Sequence, residues 1–198
     1  MSAGPQDPET PGSAHERAAD YLRAHDLVVV TAESCTAGLI AARLASVPHA
    51  GQVLESAFVV YDPKAKMRCL GVPAEVLARH NLTSEAVVLA MAQGALAHSD
   101  ANVAIANTGV ADDSDPAIPP GTQCYAWAFR DAEGRTQAYT ATHRFSGERN
   151  TIREASADHA LHCLPHYHRL WRQAPASSPA TAPAAEGGVA TPIQEANP

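Results

Sequence analysis

A strand-to-helix turn rich in hydroxyl and thiol groups most constrains the fold of this chain. The apolar run Leu27-Val28-Val29-Val30 predicts a strand, and the run from Leu39 to Leu44 predicts a helix. Between them lies the segment Thr31-Ala32-Glu33-Ser34-Cys35-Thr36-Ala37-Gly38. A hydroxyl in such a turn lies at the positive end of the helix, where free backbone N–H groups can hold a developing anion. The alternative interpretation is ordinary helix capping by Ser or Thr.

The size and charge of the chain favour one folded domain that does not bind nucleic acid. The sequence has 198 residues, of which 45% are hydrophobic and only 5% aromatic. This composition is typical of an α/β protein packed with Ala, Val and Leu. The net charge is −7, from 14 Lys and Arg against 21 Asp and Glu, and no basic run is present. A surface that follows nucleic-acid phosphates is therefore not expected.

Cysteine spacing and hydropathy predict a cytoplasmic protein with reduced thiols. The four cysteines are widely spaced and form no CxxC pair, and the first residues lack the pattern of a signal peptide. No apolar run approaches the roughly 20 residues that a membrane helix needs. We therefore expect no association with a membrane.

Composition divides the chain into a folded unit and two tails. Residues 1–12 are rich in Pro, Gly and acidic side chains, and residues 173–198 are rich in Pro and Ala. Such segments bury too little apolar surface to offset the entropy lost on ordering. The sequence predicts disordered tails at 1–12 and 173–198 and a folded domain at 13–172.

Periodicity within that domain predicts helices that alternate with strands and then a hairpin. The predicted strands are 27–31, 53–61, 103–107, 123–130 and 136–145, and the predicted helices are 14–25, 39–44, 65–70, 74–80, 83–98 and 148–164. Pro63 should end the second strand, Thr108-Gly109 should form a turn, and Pro165 should interrupt the last helix. This order predicts a three-layer α/β/α sandwich with a mixed, mostly parallel sheet.

Three polar segments should meet at one edge of this sheet, because ligands gather at the carboxyl ends of strands in open α/β folds. They are Ser34-Cys35-Thr36, Tyr61 with Lys64 and Lys66, and Thr108-Gly109. Together they supply a hydroxyl nucleophile, a lysine or tyrosine that can take its proton, and backbone donors for an oxyanion. Because desolvation lowers the proton affinity of a buried lysine, a Ser–Lys pair can work near neutral pH without histidine. The pattern favours a hydrolase.

An ordered set of motifs resembles the C-terminal domain of the CinA family, in its stand-alone form. The motifs are Ala32-Glu33-Ser34-Cys35-Thr36-Ala37-Gly38-Leu39-Ile40-Ala41, Val60-Tyr61 with Lys66, Leu70-Gly71-Val72-Pro73, Asn107-Thr108-Gly109-Val110-Ala111, Pro120-Gly121-Thr122, and Phe145-Ser146-Gly147-Glu148-Arg149. The resemblance spans nearly the whole folded unit. The set is far more specific than any one motif.

The resemblance implies a nicotinamide-nucleotide amidohydrolase, which converts nicotinamide mononucleotide and water to nicotinate mononucleotide and ammonia. By matching positions, Ser34 would be the nucleophile, Lys66 and Tyr61 the groups that transfer and orient the proton, and Thr108 a residue that lines the site. The N–H groups of Cys35 and Thr36 are candidate oxyanion donors, and Gly109 completes the predicted substrate-binding set. The mechanism needs no metal or cofactor. The partner is a small pyridine nucleotide or related amide, and the family tendency is to form homo-oligomers.

The chain departs from the family pattern at three places. Ala37 stands where the family typically has Gly, and Asp62-Pro63 replaces a polar Ser-Asn pair. An acidic segment, Asp112-Asp113-Ser114-Asp115-Pro116, replaces a Gly/Pro-rich loop and should repel a nucleotide phosphate. The alternative hypothesis is therefore a catalytically inactive CinA-like paralogue that binds a ligand or a partner.

Several local signals allow a second interpretation. Cys35 could be a nucleophile, although a small buried core residue is the alternative. The cluster formed by His159, His162, Cys163, His166 and His168 suggests a zinc site, but its spacing lacks a completing ligand. The acidic loop lacks the Gly and the terminal Glu of a calcium loop. Arg149 either shapes the pocket or a subunit contact, or forms a surface ion pair with Glu148 or Glu154.

Overall fold

Helices cover both faces of a five-stranded sheet in the computed structural model, which describes residues 13–174. The strands are Val29–Glu33 (β1), Leu54–Val59 (β2), Val103–Gly109 (β3), Thr122–Arg130 (β4) and Thr136–Arg144 (β5). The helices are Ala14–Ala24 (α1), Leu39–Ala45 (α2), Pro63–Leu70 (α3), Ala74–Arg79 (α4), Glu85–Ala97 (α5) and Arg149–Gln173 (α6), and a 3₁₀ turn, Ala50–Gln52, precedes β2.

The order of the strands brings three carboxyl ends to one edge of the sheet. The order is β2-β1-β3-β4-β5, with β1 parallel to both β2 and β3, and β4 antiparallel to β3 and β5. Four of the five strands in the described range therefore run in the same direction. Glu33, at the end of β1, lies opposite Val59 of β2 and Asn107 of β3.

Alternate residues of the strands enter two separate cores. One core lies between the sheet and α1, α2 and α6, and its strand residues are mostly large: Val29, Val103, Ile105, Tyr125, Trp127 and Phe129. The other lies against α3, α4 and α5, and its strand residues are mostly small: Val30, Ala32, Ala104, Ala106, Ala126 and Ala128. The predicted three-layer α/β/α sandwich with a mixed, mostly parallel sheet is confirmed. The row of alanines lets α5 lie close to the sheet.

Gly94 marks a close approach of α5 to α3. A Cβ on Gly94 would lie 1.9 Å from the carbonyl oxygen of Leu70, a backbone atom that cannot rotate away. We expect Gly94→Ala to lower the free energy of unfolding by about 2–3 kcal/mol, although alanine is the better helix former. Chemical denaturation should be compared with Gly51→Ala, whose added Cβ meets no atom within 4 Å. Equal unfolding midpoints of the two variants would contradict this packing argument.

Two strands extend beyond their predicted ends. β1 continues from the predicted Thr31 to Glu33, and β3 continues from the predicted Asn107 to Gly109. Thr108 and Gly109 pair with Cys124 and Gln123 of β4, so this segment belongs to the sheet and is not a turn. Pairing with neighbouring strands therefore outweighs the local turn signal.

The last helix passes through Pro165 and ends at Gln173, so the predicted end at Leu164 is wrong. The turns after the proline pack against the rest of the domain. His168 is buried, with its Nδ1 2.9 Å from the hydroxyl of Tyr21, and the Trp171 ring stacks on Phe129 with centroids 5.3 Å apart. This packing outweighs the backbone hydrogen bond that proline cannot make.

The two predicted tails lie outside the described residues, apart from Gln173 at the end of α6 and the following Ala174. Among the helices of residues 13–174, none combines the length and the apolar character required to cross a membrane.

Candidate active site

Ser34 and Lys66 form a buried pair at the carboxyl edge of the sheet. Ser34 follows β1, and Lys66 lies in the second turn of α3. The Lys66 Nζ is 3.0 Å from the Ser34 Oγ, and the two residues are 1% and 8% exposed, respectively. The structure thus brings together the predicted nucleophile and its predicted base.

Two backbone carbonyls orient the Lys66 amine. Its Nζ donates to the carbonyl oxygens of Val60, at 2.8 Å, and Tyr61, at 3.0 Å. In a neutral amine these two bonds use both N–H groups and leave the lone pair toward the Ser34 hydroxyl. Burial lowers the pKa of Lys66 from 10.5 to about 8, against a smaller opposing effect of Asp62. Lys66 can therefore act as a general base near neutral pH.

The Asp62-Pro63 pair starts the helix that carries Lys66. Asp62 is the N-cap of α3, where its Oδ1 accepts the Lys64 N–H at 2.7 Å, and Pro63 occupies the first helical position. Proline is favoured there because its missing N–H would lack a helical partner anyway. This departure from the family pattern therefore stabilises the turn from which Lys66 reaches Ser34.

Glu33 caps the helix that follows Ser34. Its carboxylate is fully buried and accepts the N–H groups of Gly38, Ile40 and Ala41 at 2.8, 3.1 and 2.9 Å. These donors are satisfied within the chain, so they do not hold an external anion. The prediction that free N–H groups at the N-terminus of α2 hold an oxyanion is therefore wrong for these three groups.

Asn107 and Arg153 hold the turn that contains Ser34. The Asn107 carbonyl accepts the Ser34 N–H at 3.0 Å, and its Oδ1 accepts the Thr36 N–H at 3.1 Å. Arg153 donates to the carbonyls of Cys35 and Thr36 at 2.9 and 3.2 Å. The Thr36 N–H is therefore not a free oxyanion donor. Within residues 13–174 the Cys35 N–H has no hydrogen-bond acceptor and remains available.

The same turn contains two consecutive residues with left-handed backbone. Ala37 has φ 50° and Gly38 has φ 93°. An L-residue pays roughly 1 kcal/mol for this conformation, which glycine adopts freely. The left-handed backbone at Ala37 thus explains why glycine is favoured at this position in the family pattern.

The Tyr61 side chain is exposed and bonds to Arg149. It is 56% exposed, and its hydroxyl accepts a hydrogen bond from the Arg149 Nη2 at 2.8 Å. No hydrogen bond joins this hydroxyl to Ser34 or Lys66 in the described part of the chain. Tyr61 orients Lys66 through its backbone carbonyl, and the geometry gives its phenol no proton-transfer contact.

Thr108 and Gly109 are engaged in packing. The Thr108 hydroxyl donates to the carbonyl of Leu82 at 2.9 Å, and the residue is only 2% exposed. A Cβ on Gly109 would lie 2.3 Å from the Oε1 of Gln123, so the glycine makes room for that side chain. The structure brings neither residue into hydrogen-bond contact with Ser34 or Lys66, within the range it describes.

Cys35 is a core residue with an unreactive thiol. It is 3% exposed and packs against Ala111 and Ile152, and its Sγ accepts from the Gln123 Nε2 at 3.3 Å. Burial raises the pKa of the thiol, which disfavours the nucleophilic thiolate. These contacts favour the packing interpretation over a second nucleophile.

His159, His166 and His168 of α6 make aromatic ring contacts. His159 stacks on His143 with centroids 4.7 Å apart, and burial lowers the pKa of both His159 and His168 to about 4. Over residues 13–174, no group of three or more His, Cys, Asp or Glu side chains is placed to hold a metal ion.

Sequence reasoning missed the polar side chains that support the turn. Glu33, Asn107 and Arg153 contact the turn through hydrogen bonds, yet none was assigned a role. A charged or amide residue at the end of an apolar strand is the signal that could have indicated Glu33 and Asn107. No comparable signal marks Arg153, which reaches the turn from α6.

Comparison with known proteins places these features in one family. Residues 12–168 match the model of the CinA C-terminal domain. A CinA-like protein of Akkermansia muciniphila is 44% identical over 143 residues, which are 71% of this chain and 34% of that protein. A CinA-like protein of Mycobacterium tuberculosis is 44% identical over 138 residues, 69% of this chain and 31% of that protein. The match thus spans about a third of the length of these curated relatives.

Solved structures of similar proteins match this fold over almost their whole length. A competence-damaged protein (CinA) superfamily protein from Klebsiella pneumoniae superposes with a TM-score of 0.74 at 32% identity, covering 81% of this chain and 100% of that one. The competence/damage inducible protein CihA from Agrobacterium tumefaciens gives 0.70 at 32% identity, covering 82% and 99%. The chain therefore belongs to the CinA family, through the C-terminal domain that its residues 12–168 match.

Proposed function

We propose that this protein is a Ser–Lys amidohydrolase that acts on the carboxamide of a nicotinamide nucleotide or a related amide. The observation that carries the proposal is the 3.0 Å contact between the Ser34 Oγ and the buried Lys66 Nζ. Family membership supports the reaction in which nicotinamide mononucleotide and water give nicotinate mononucleotide and ammonia.

The dyad supports a two-step acyl transfer. Neutral Lys66 takes the Ser34 proton while the Oγ attacks the carboxamide carbon, and the N–H of Cys35, the residue that follows the nucleophile, stabilises the oxyanion in this proposal. The Lys66 ammonium then protonates the leaving nitrogen, so ammonia departs and an acyl-serine remains. Water attacks this ester with Lys66 again as base, which releases the carboxylate and restores the Ser34 hydroxyl.

The activity should increase with pH because protonated Lys66 cannot act as a base. With a pKa of about 8, most Lys66 is charged at pH 7. We expect kcat/KM to rise about tenfold per pH unit below about pH 7 and to level off above about pH 9. The profile should be measured with a substrate that lacks phosphate, so that substrate ionisation does not contribute. A flat profile across neutral pH would contradict the assignment of Lys66 as the base.

The proposal is tested by ammonia release from purified protein. Nicotinamide mononucleotide and nicotinamide riboside should each be assayed, with chromatographic detection of the carboxylate product. Release of ammonia and carboxylate in equal amounts supports the amidohydrolase. A preparation of Ser34→Ala purified in parallel controls for contaminating enzymes. No turnover of either compound would overturn the proposal and favour the catalytically inactive, ligand-binding alternative.

A further inference from the structure

An ion pair joins the acidic loop to the start of α6 beside the dyad. Arg149, the first residue of α6, donates through its Nη1 to the carboxylate of Asp112 and through its Nη2 to the Tyr61 hydroxyl. The Asp112 and Arg149 side chains are 39% and 47% exposed. A group entering from solvent can therefore meet both of them.

This ion pair lies next to the nucleophile turn. Ala111, which precedes Asp112, packs on Cys35 together with Ile152, which lies one helical turn after Arg149. On the other side, the backbone of Tyr61 holds Lys66, while its hydroxyl contacts Arg149. The ion pair thus lies between two segments next to the dyad: the turn that contains Ser34, through Ala111 and Ile152, and Tyr61, whose carbonyl holds Lys66.

The charges at this rim disfavour an anionic substrate group. The Arg149 guanidinium is already matched by Asp112, whose pKa is held low by hydrogen bonds from Ser114 and Arg149. The same loop adds the exposed Asp113 and the carboxylate of Asp115, which accepts from Asn81. The Arg153 guanidinium, which contacts the turn that contains Ser34, is engaged with the carbonyls of Cys35 and Thr36. The loop therefore carries more negative charge than Arg149 can neutralise.

We propose that Asp112 is a specificity-determining residue. By pairing with Arg149, it withholds the guanidinium from substrate anions and makes the site prefer a cationic pyridinium carboxamide over its phosphate monoester. This inference rests on the proposed amidohydrolase function and concerns the same site. If instead a substrate phosphate displaced Asp112 from Arg149, the site would prefer the phosphate monoester.

The test compares kcat/KM for nicotinamide riboside and nicotinamide mononucleotide at low ionic strength. The wild type should prefer the riboside, and Asp112→Asn should shift the ratio toward the mononucleotide by about fivefold, equivalent to about 1 kcal/mol. Adding Arg149→Gln to Asp112→Asn should abolish the shift. Asp131→Asn is the matched control, because Asp131 also pairs with an arginine, Arg135, but in the β4–β5 turn at the opposite edge of the sheet.

Two outcomes overturn the specificity proposal while leaving the amidohydrolase intact. One is a wild-type preference for the mononucleotide, and the other is an unchanged ratio in Asp112→Asn. Calorimetric binding of both compounds to Ser34→Ala, with and without Asp112→Asn, makes the test independent of turnover. The same shift in the ratio of Kd values supports the proposal even if the wild type proves inactive. Equal Kd values for the two compounds, or tighter binding of the mononucleotide to Ser34→Ala, contradict the specificity proposal in this binding experiment.

Discussion

Ser34→Ala is expected to lower kcat/KM for amide hydrolysis by about a thousandfold or more. Alanine has no oxygen to attack the carboxamide, and Lys66 then has no hydroxyl to deprotonate. Steady-state ammonia release should be measured beside Lys66→Met, which keeps the nucleophile but removes the base. We expect a loss of similar size, because the two side chains act as one unit.

The fold should survive the loss of this hydroxyl. Lys66 keeps the carbonyls of Val60 and Tyr61 as acceptors when the Ser34 Oγ is removed. Ser56→Ala is a suitable control, because its hydroxyl bonds to the exposed Glu55 on the edge strand β2. Unchanged ammonia release in Ser34→Ala, or an equal loss in Ser56→Ala, would refute the assignment of the nucleophile.

Glu33→Ala is expected to lower the free energy of unfolding by about 3 kcal/mol or more. The substitution leaves the N–H groups of Gly38, Ile40 and Ala41 without this acceptor, and the bonds of Ile40 and Ala41 are buried. Glu33→Gln should also be destabilising, by about 1–3 kcal/mol. The NH₂ group of the glutamine amide would face a backbone N–H group and cannot accept its hydrogen bond. Urea denaturation monitored by circular dichroism measures both effects.

The control for this prediction is Glu55→Gln, an exposed glutamate on β2. A surface charge of this kind usually changes stability by less than about 0.5 kcal/mol. If Glu33→Gln and Glu55→Gln unfolded at the same urea concentration, Glu33 would not be the structural cap of α2. Because Glu33 also precedes Ser34, the proposed nucleophile, we expect reduced activity in any folded Glu33 variant.

Elements with strong local signals were predicted close to their observed bounds. The predicted helix at 83–98 corresponds to α5, and the predicted strands at 123–130 and 136–145 correspond to β4 and β5 within one residue at each end. Pro165 shows the limit of such signals. Its local effect predicts a break, but packing of His168 and Trp171 keeps α6 helical to Gln173.

The site divides in the same way. Ser34 and Lys66 were identified from the strand-to-helix turn and the family motifs, because each of these features spans only a few consecutive residues. The partners of Thr36, Cys35 and Arg149 could not be predicted. Each bond to Asn107, Arg153 or Asp112 joins residues more than 30 positions apart, so it depends on how the layers pack.

The sequence by itself determined the α/β architecture, the place of Ser34 directly after β1 and the family to which the motifs belong. Periodicity and local turn chemistry are sufficient for this, because they act over a few residues. Only the tertiary structure decided which groups are free to react. Burial lowers the pKa of Lys66. Glu33 and Asn107 accept hydrogen bonds from N–H groups that an oxyanion would need, and Asp112 pairs with Arg149. Desolvation and competition for hydrogen bonds arise when the fold brings segments together that are far apart in the sequence, so a local sequence pattern cannot predict them.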